Sequence, residues 1–562
     1  MEKNKHQGEG TIPAISRRQF IQAGSALAAL PFVVKTGKVQ AQGAAVSDTT
    51  PEEKVVQTCS TFDCGGKCDI RAHVSEGVVT RISTRPDNAL DPQMPVMRAC
   101  VRGRAYRKFV YHPDRLKYPM KRVGKRGEGK FERITWDEAT TLIANQLKTI
   151  TQKYGAASRY VHVGTAVSGG TFSGDKMVRR LLNLTGGYLE SYHSVSMGNT
   201  AAATPYTYGT AASGSSLDTL LDTKLVILWG HNPTETIFGH SNHFYQKMKQ
   251  NGTRFIVVDP RYSDTVSSLA DQWIPLLPTT DNALMDAMMY VIVTENLHDR
   301  DFIQRYTLGF DEDTMPEGVP ANESLMAYLS GAKDGVAKTP EWAEKITHVP
   351  AQTIRQLARD YATTKPAALI QGWGPQRHAN GEIATRAISM LSILTGNVGI
   401  HGGNSGAREG SYEVPFERMP TLDNPVQTSI SMFMWTDAIE RGPEMTALRD
   451  GVRGKDKLDV PIKMIWNYAG NCLINQHSEI NRTHEILQDD KKCEMIVVID
   501  CHMTSSAKYA DILLPDCTAS EQMDFALDAS CGNMSYVIFT DQAIKPRFEC
   551  KTIYEMTSEL AK

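Results

Sequence analysis

The sequence has almost no net charge and no long hydrophobic run. Lysine and arginine (61 residues) balance aspartate and glutamate (63), leaving a formal charge of −2 over 562 residues. The electrostatic pattern of a nucleic-acid-binding protein is therefore missing. No apolar stretch approaches the roughly 20 residues that cross a bilayer. Glycine and proline make up about 12% of the chain, which is ordinary usage and excludes collagen-like or low-complexity architectures. What remains is an ordinary folded chain.

Several common catalytic motifs are also absent. The chain has no G-x-G-x-x-G after a strand, no G-x-x-x-x-G-K-[ST], no H-E-x-x-H and no G-x-S-x-G. These motifs hold dinucleotides, triphosphates, zinc and the serine nucleophile, respectively. The missing motifs therefore disfavour simple NAD-dependent, ATP-dependent, zinc-protease and serine-hydrolase activities.

Cysteine is missing between Cys100 and Cys472 but is dense near the N-terminus. A C-x4-C-x3-C group with a fourth member 32 residues later comprises Cys59, Cys64, Cys68 and Cys100. A [4Fe–4S] cluster, a structural zinc and two disulfides all fit four cysteines. Three thiolates within ten residues favour the cluster, and Gly65 and Gly66 let the backbone pass close to it. The later cysteines are expected to be small buried side chains: Cys472, Cys493, Cys501, Cys517, Cys531 and Cys550.

The N-terminus carries a targeting pattern. Arg17 and Arg18 precede a mildly apolar run, Ala23–Val34, and a small-residue stretch follows at Val39–Ala41. This order is typical of a twin-arginine export signal, although a basic helix start is the alternative. Twin-arginine export carries folded proteins, so it suits a protein whose cofactor is inserted in the cytoplasm. The sequence predicts a metal-containing periplasmic protein.

Apolar runs alternate with amphipathic stretches over the rest of the chain, which predicts an α/β fold with mainly parallel sheets. The predicted strands are Tyr160–Val163, Leu225–Trp229, Phe255–Val258, Ala368–Ile370, Met464–Trp466 and Met495–Ile499. The predicted helices include Ala139–Ile150 and Ala351–Ala362.

Two portions of the chain repeat one βαβ pattern. Each has Gly and Asn after its first strand, at Asn232 and Asn471, and Asp at the end of its second, at Asp259 and Asp500. Ligands of such sheets lie beyond the carboxyl ends of the strands, so both copies predict a nucleotide pocket. The aspartates can accept from the paired N–H donors of guanine, or they can simply cap a turn or helix. Pro233, at a predicted first helical position, exposes backbone N–H groups that suit a diphosphate.

Longer stretches of the sequence resemble the dimethyl sulfoxide reductase family of molybdopterin enzymes. Besides the cysteine group, the resemblance rests on Cys100–Arg104, Trp229–Pro233, Asp259–Arg261, Gln371–Arg377, Thr504–Pro515 and Glu521. From about Ala368 onward the chain is most similar to the catalytic subunits of membrane-associated anaerobic members. The resemblance implies a molybdenum-bis(molybdopterin guanine dinucleotide) cofactor and one [4Fe–4S] cluster held by the four cysteines.

The resemblance also implies which residues contact the cofactor. They are Trp229, Gly230, Asn232, Glu235, Asp259, Pro260, Arg261, Asp281, Gly372, Gln376, Arg377, Asn471 and Asp500. Asp259 and Asp500 would each bind one guanine.

A protein ligand to molybdenum is expected from the segment Gly187–Asn199, which contains no cysteine. Comparison with the family places Ser196 at the metal-bound serine, with Ser191 and Ser194 as the alternatives. A hard alkoxide suits an oxidised metal that exchanges oxygen with S- or N-oxides. Arg102 matches a basic residue that the family carries between cluster and pterin, which implies a role in electron transfer; a plain surface arginine is the alternative.

The activity implied is reduction of S- or N-oxides such as dimethyl sulfoxide by oxygen-atom transfer, as the terminal reductase of anaerobic respiration. Reduction of a selenium or sulfur oxyanion is one alternative, and an inactive remnant that binds only the cluster or a chaperone is another. The implied partners are an iron–sulfur electron-transfer subunit, a quinol-oxidising membrane anchor, a cytoplasmic maturation chaperone and the twin-arginine translocon. The expected location is the periplasmic face of the cytoplasmic membrane.

The resemblance implies four regions. Residues 1–45 form the signal and linker, 46–120 the iron–sulfur domain, 156–365 one α/β domain, and 121–155 with 366–562 the other. The family continues into a β-barrel domain that covers the pterins. We expect this barrel to be absent here and the cofactor to be weakly held.

Overall fold

The computed structural model of the chain describes residues 52–60, 68–84, 98–163, 174–237, 241–410, 417, 419–527 and 537–562. Glu52–Lys562 form one compact unit. The predicted export signal, Cys64 and Cys531 lie outside the described residues. None of the described helices is both long and apolar enough to span a membrane.

The first sheet is an antiparallel meander of β1 (Lys54–Cys59), β2 (Asp69–Ser75) and β3 (Val78–Thr84). Glu76 and Gly77 both have positive φ in the turn between β2 and β3, the conformation that a two-residue hairpin turn needs. The short helices Val101–Arg104 and Tyr106–Val110 follow. The core of this region also takes in Ala526 and Ile538 from a distant hairpin, β16 (Asp524–Leu527) and β17 (Val537–Thr540).

The second sheet has four parallel strands in the order β10-β9-β8-β11. They are β8 (Leu225–Trp229), β9 (Arg254–Val258), β10 (Gln272–Ile274) and β11 (Ala367–Gln371). β8 and β11 are buried along their whole length, because helices cover both faces of the sheet. One face packs on Asp281–Thr294, Ala351–Thr363 and Gly381–Leu394, and the other on Ser241–Gln250 and Asp264–Leu269.

The third sheet has six strands in the order β5-β4-β15-β14-β13-β6. They are β4 (Met120–Arg122), β5 (Phe131–Arg133), β6 (Arg159–Val163), β13 (Met464–Tyr468), β14 (Met495–Asp500) and β15 (Ile512–Pro515). β6, β13, β14 and β15 are parallel, whereas β4 and β5 run antiparallel at one edge. Trp435–Arg441 and Ile480–Gln488 pack on one face, and Trp136–Tyr154, Asp175–Leu184 and Ile553–Ala561 pack on the other.

A two-stranded parallel ribbon completes the described strands, with β7 (Glu190–Tyr192) paired to β12 (Ser429–Ser431). The other helices are Gly198–Tyr208, Pro233–Thr236, Arg300–Tyr306, Leu325–Ser330, Pro340–Thr347 and Ala447–Asp450. Short 3-10 turns are Ala156–Ser158, Thr219–Asp222, Glu312–Thr314, Ala321–Glu323, Gly442–Glu444, Ala507–Tyr509 and Ala519–Glu521.

The structure confirms the α/β class, the six predicted strands and both predicted helices. The predicted region boundaries are corrected at two places. β6, predicted to belong with 156–365, pairs with β13 in the six-stranded sheet. β11, predicted to belong with 366–562, pairs with β8 in the four-stranded sheet. The prediction placed both strands in the wrong sheet. The order of elements along the sequence does not fix which strands become neighbours, since that depends on how the whole chain packs.

Candidate active site

Three of the four clustered cysteines lie at one end of the first sheet. Cys59 ends β1 and pairs with Asp69, while the Ser60 N–H donates to the Cys68 carbonyl at 3.2 Å. Cys59 and Cys68 are buried. Cys100 is half-buried and begins the helix Val101–Arg104.

Gly103 brings the Cys100 turn close to this end of the sheet. A Cβ at Gly103 would lie 2.8 Å from the Ala99 Cβ, 3.6 Å from the Ser60 Oγ and 3.9 Å from the Cys68 Cβ. Only glycine fits this approach without a shift. Arg102, on the same short helix, is exposed.

The three described thiols are compatible with a four-iron cluster. Within the ranges that the structure describes, no three His, Cys, Asp or Glu side chains group closely enough to hold one metal ion. In a four-iron cluster each cysteine binds a different iron atom, so its ligands need not converge on one point. The buried thiols of Cys59 and Cys68, with Cys100 beside them, fit such a ligand set, and Cys64 lies outside the described residues.

The carboxyl ends of β8 and β9 bring Asn232, Glu235, Asp259 and Arg261 together. Asp259 Oδ1 accepts from the Arg261 N–H at 2.8 Å, and Glu235 accepts from the Arg261 guanidinium and from the Asp264 N–H. Asn232 accepts from the Thr265 hydroxyl. Burial raises the pKa of Asp259, and the neighbouring Arg261 opposes that rise. Pro260 is exposed between them.

Trp229 has a supporting role, which corrects its predicted contact with the cofactor. Its side chain is fully buried at 0% exposure in the core of the four-stranded sheet. The indole N–H donates to Asp281 Oδ1 at 2.8 Å. Burial raises the pKa of Asp281, and this donation from Trp229 opposes the rise.

The N–H groups after Pro233 are already satisfied, which corrects the predicted diphosphate site. Pro233 does begin a helix, as predicted. The Thr234 N–H, however, donates to the Thr265 hydroxyl at 3.1 Å. The N–H groups of Glu235 and Thr236 both donate to the Asn232 carbonyl. No first-turn donor of this short helix remains for a phosphate.

Gly230 and Gly372 are glycines because two loops cross there. The Gly372 N–H donates to the Trp229 carbonyl at 2.9 Å, and a Cβ on Gly372 would overlap the Gly230 carbonyl oxygen. Gly230 has φ +52°, and a Cβ there would lie 2.6 Å from the Pro375 Cδ. Close approach of backbone at Gly372, and of the Pro375 ring together with a positive φ at Gly230, therefore explains both glycines.

At the end of β14, Asp500 leaves one carboxylate oxygen available. Its Oδ1 accepts from the N–H groups of Cys501 and His502 at 2.6 and 3.2 Å. Its Oδ2 is buried and has no hydrogen-bond partner of standard geometry among the described residues, although the nearby Gly470 N–H acts to lower the pKa of the carboxylate. Burial raises the pKa of Asp500 to about 6. Nearby, Asn471 Oδ1 accepts from the Ser506 N–H at 2.8 Å.

The loop after β11 meets the predicted metal-ligand segment. Ser196 is half-buried, between β7 and the helix Gly198–Tyr208. Its carbonyl accepts from Gln376 Nε2 at 3.0 Å and from Arg377 Nε and Nη2 at 3.4 and 3.3 Å. Ser191 lies inside β7, and Ser194 lies between that strand and Ser196. Ser196, Gln376 and Arg377, three predicted site residues, are thus in contact although about 180 residues separate Ser196 from the other two.

Sequence reasoning missed Arg408. Its guanidinium stacks 4.3 Å from the ring centre of Trp373, and its Nε lies 3.8 Å from Glu409 Oε1. Nε and Nη2 are buried without a hydrogen-bond partner in the described parts of the chain. Next to it, Glu409 pairs with His231 at 3.1 Å. Burial alone would raise the pKa of Glu409, but His231 and Arg408 outweigh it and lower that pKa to about 2. The available signal was an Arg-Glu pair inside a glycine- and serine-rich stretch.

The later cysteines behave as predicted where they are described. Cys472, Cys493, Cys517 and Cys550 are buried, and Cys501 is half-buried. Burial raises the pKa of Cys493 to about 12. A protonated thiol is a poor nucleophile and metal ligand.

The fold and site together define an α/β protein with two mainly parallel sheets, acidic residues at the carboxyl ends of their strands, and an N-terminal cysteine group. Residues 115–562 match the family model described as molybdopterin oxidoreductase, and residues 53–112 match its Fe4S4 domain. The chain belongs to the dimethyl sulfoxide reductase family of molybdopterin oxidoreductases.

Individual proteins agree with this assignment. The chain is 60% identical to dimethyl sulfoxide reductase DmsA of Escherichia coli (strain K12), over 98% of this chain and 69% of that protein. It is 54% identical to DmsA of Haemophilus influenzae, over 97% of this chain and 70% of that protein. Acetylene hydratase from Pelobacter acetylenicus shares the fold, with a TM-score of 0.66 at 23% identity, covering 90% of this chain and 68% of that one.

The protein is therefore an oxidoreductase with a molybdenum–molybdopterin cofactor and a [4Fe–4S] cluster. The residues present fit these groups. The Asp500 Oδ2 suits an N–H donor of a bound ligand, and the Arg408 Nη2, which has no hydrogen-bond partner among the described residues, suits an acceptor. Cys59, Cys68 and Cys100 are the described residues that would hold the cluster.

Proposed function

We propose that this chain is the catalytic subunit of a reductase of S- or N-oxides such as dimethyl sulfoxide. The observation that carries the proposal is the high identity, at 60% and 54%, to two proteins named dimethyl sulfoxide reductase. The absence of cysteine from the Gly187–Asn199 segment supports it, because an alkoxide ligand suits a metal that exchanges oxygen.

Ser196 is the proposed metal ligand. Three donors from Gln376 and Arg377 fix its carbonyl, so the Ser196 hydroxyl projects from an anchored turn. Ser191 instead lies inside β7, and its side chain hydrogen-bonds to the buried Tyr160. When bound, the molybdenum centre supplies the oxygen-accepting and electron-transferring chemistry. The chain supplies the ligand, the orientation of the substrate and the positive charge of Arg377 beside the Ser196 turn.

The proposed form of the cofactor has two guanine dinucleotides, one at each βαβ edge. Asp259 and Asp500 have the same local geometry, because one carboxylate oxygen of each accepts an N–H from two residues ahead. This turn holds the carboxylate in place and leaves the other oxygen of Asp500 without a hydrogen-bond partner of standard geometry among the described residues. Two aspartates positioned alike support two guanine sites.

The proposed setting is the periplasmic face of the cytoplasmic membrane, after twin-arginine export, in anaerobic respiration. Electrons would come from an iron–sulfur subunit on a quinol-oxidising membrane anchor, with a cytoplasmic chaperone assisting maturation. The half-buried Cys100 and the exposed Arg102 beside it support electron entry at this end of the first sheet. Cell fractionation with and without a functional twin-arginine translocon tests the location.

Oxidation of a reduced viologen dye by the purified, molybdenum-loaded protein tests the activity. We expect dimethyl sulfoxide and trimethylamine N-oxide to oxidise the dye. Selenate and tetrathionate should leave it reduced. Turnover with an oxyanion alone would favour the alternative substrate class, and no turnover with molybdenum bound would contradict the proposal.

Ser196→Ala tests the ligand. We expect turnover to fall by about a hundredfold or more, since the metal loses its protein anchor and misplacement by about 1 Å already costs that much. Ser194→Ala is the matched control, with the same side chain two residues away, and should keep its turnover. If Ser194→Ala lost turnover and Ser196→Ala kept it, Ser194 would be the ligand instead.

A further inference from the structure

Gln376 makes three hydrogen bonds that tie two distant loops together. Its side chain is 2% exposed. Nε2 donates to the carbonyls of Ser196 and Trp373, both at 3.0 Å. Oε1 accepts from the Asn199 N–H at 3.1 Å. Both amide protons and one acceptor site are therefore used within the protein, and no donor is left for a cofactor.

Asn199 completes the contact from the other side. Its Nδ2 donates to the Gln376 carbonyl at 2.6 Å and to the His378 carbonyl at 3.5 Å. The four residues from Ser196 to Asn199 are thus fixed at both ends by residue 376. Asn199 also lies in the first turn of Gly198–Tyr208, where backbone N–H groups have no partner within the helix. Gln376 supplies the acceptor for one of them.

The loop that carries Gln376 is held in place by contacts with the end of β8 and the residue after it. Pro375 packs against Gly230, where a Cβ would lie 2.6 Å from the proline ring. The Gly372 N–H donates to the Trp229 carbonyl at the end of β8. The four-stranded sheet therefore sets the position of Gln376, and through it the position of the Ser196 backbone.

We propose that Gln376 is a positioning residue that sets the place and orientation of Ser196, and not a contact of the cofactor. This inference rests on the proposed role of Ser196 as metal ligand. It replaces the expectation, drawn from family resemblance, that Gln376 binds the cofactor directly. The hydroxyl of Ser196 reaches the metal at the required geometry because the carboxamide of Gln376 holds its carbonyl and the next turn.

Gln376→Glu tests the proposal with little change in size. The carboxylate loses both donors and faces the carbonyl oxygens of Ser196 and Trp373, which repel it. Gln376→Met, which also removes the donors but adds no charge, serves if the first variant does not fold. Asn404→Asp is the matched control. Asn404 is 1% exposed, accepts from the Ser215 N–H at 2.9 Å and donates to the Leu369 and Ala407 carbonyls at 2.7 Å, and none of these hydrogen bonds involves Ser196.

The readouts separate positioning from general stability. We expect Gln376→Glu to keep molybdenum at the wild-type ratio while the Mo(V) electron paramagnetic resonance signal changes its g-values. We expect kcat to fall by about ten- to a hundredfold, with KM changing less than about threefold, because misplacement acts on the reacting geometry. Asn404→Asp should leave the Mo(V) signal unchanged even where it lowers the melting temperature.

Two outcomes would overturn the inference. One is a Mo(V) signal identical to wild type in Gln376→Glu or Gln376→Met. The other is loss of molybdenum from the Gln376 variants alone, which would return Gln376 to the role of cofactor contact. The resonance comparison needs no substrate. A wild-type protein with a normal Mo(V) signal but no turnover of S- or N-oxides would contradict the proposed function and leave the resonance test of Gln376 intact.

Discussion

Single polar side chains at the strand ends have a structural task and, under the proposed function, a binding task. Asp500 stabilises its own turn through Oδ1, and its Oδ2 stays buried without a hydrogen-bond partner of standard geometry among the described residues. The nearby Asp516 is also buried, and burial raises its pKa to about 7. An unpartnered buried carboxylate is unfavourable in the protein alone. A ligand that donates to it removes this cost, so binding and stability are linked at this position.

Asp500→Asn should alter the pH dependence of stability in molybdenum-free protein. The folded pKa of Asp500, about 6, lies above the ordinary value of 3.8 for an aspartate. Between these values the folded state holds the extra proton, so wild-type stability falls as pH rises through this range. Asparagine keeps the turn acceptor and does not ionise. At pH 8 the variant should therefore be more stable, by about 2 to 3 kcal/mol, with the difference vanishing below about pH 4.

Urea unfolding at pH 4, 6 and 8 measures this difference. Asp456→Asn, at an exposed aspartate, is the control and should follow the wild-type pH dependence. A constant difference between Asp500→Asn and wild type at all three pH values would contradict the assignment of a raised pKa.

Among the elements, the crossing of the loops after β8 and β11 organises the site. The Gly372–Trp229 hydrogen bond and the Gly230–Pro375 contact seat one loop on the other. Gln376 and Arg377 then reach the Ser196 turn from the seated loop. The short β7–β12 ribbon fixes the chain just before that turn. The site is therefore built on sheet ends, which are more rigid than free loops.

Gly372→Ala should disrupt this crossing. Its Cβ would overlap the Gly230 carbonyl oxygen, which is backbone and cannot rotate away. We expect a loss of about 2 kcal/mol or more in the free energy of unfolding, as for an overpacked core. Gly374→Ala, whose Cβ would meet its nearest atom at 3.2 Å, is the control and should lose less. Urea unfolding measures the loss in the free energy of unfolding for each variant. Equal losses would show that the loop crossing at Gly372 tolerates a methyl group as well as Gly374 does.

Over the whole molecule, a buried ion pair ties distant parts of the chain. Arg115 Nη2 donates to Glu521 Oε2 at 2.9 Å, with both side chains at most 1% exposed. The same guanidinium donates to the carbonyls of Val110 and Asp516. Glu521 also accepts from the Arg547 and Thr518 N–H groups. The pair therefore joins the end of the cysteine-bearing region to the segment that follows β15 in the chain.

Arg115→Met should destabilise the protein strongly, because it leaves the Glu521 carboxylate buried without its cation. We expect a loss of about 3 kcal/mol or more in the free energy of unfolding. The double variant Arg115→Met with Glu521→Gln removes both charges and should recover part of the loss. Urea unfolding of the two proteins tests this. A double variant at least as unstable as the single one would show that the pair contributes through packing and hydrogen bonds instead of charge.

The sequence predicted the local elements and the kinds of chemistry well. The β8, β9, β13 and β14 strands follow from continuous apolar runs, because strands buried on both faces carry them. Spacing predicted Cys59, Cys68 and Cys100 as cluster ligands, and resemblance to a family predicted Ser196 as the metal ligand; both assignments stay predictions. Trp229 was misjudged as a contact because its motif lies at a strand end, and nothing in the sequence shows that the ring turns into the core.

Spacing and residue type alone thus determined the α/β class, the cysteine group and the aspartates that end β9 and β14. Only the tertiary structure decided that β6 and β11 change sheets, that the N–H groups after Pro233 are satisfied, and that Gln376 holds Ser196. The physical reason is that strand identity is local, set by side-chain patterning within a few residues. Partners 180 residues apart are chosen by how the whole chain packs.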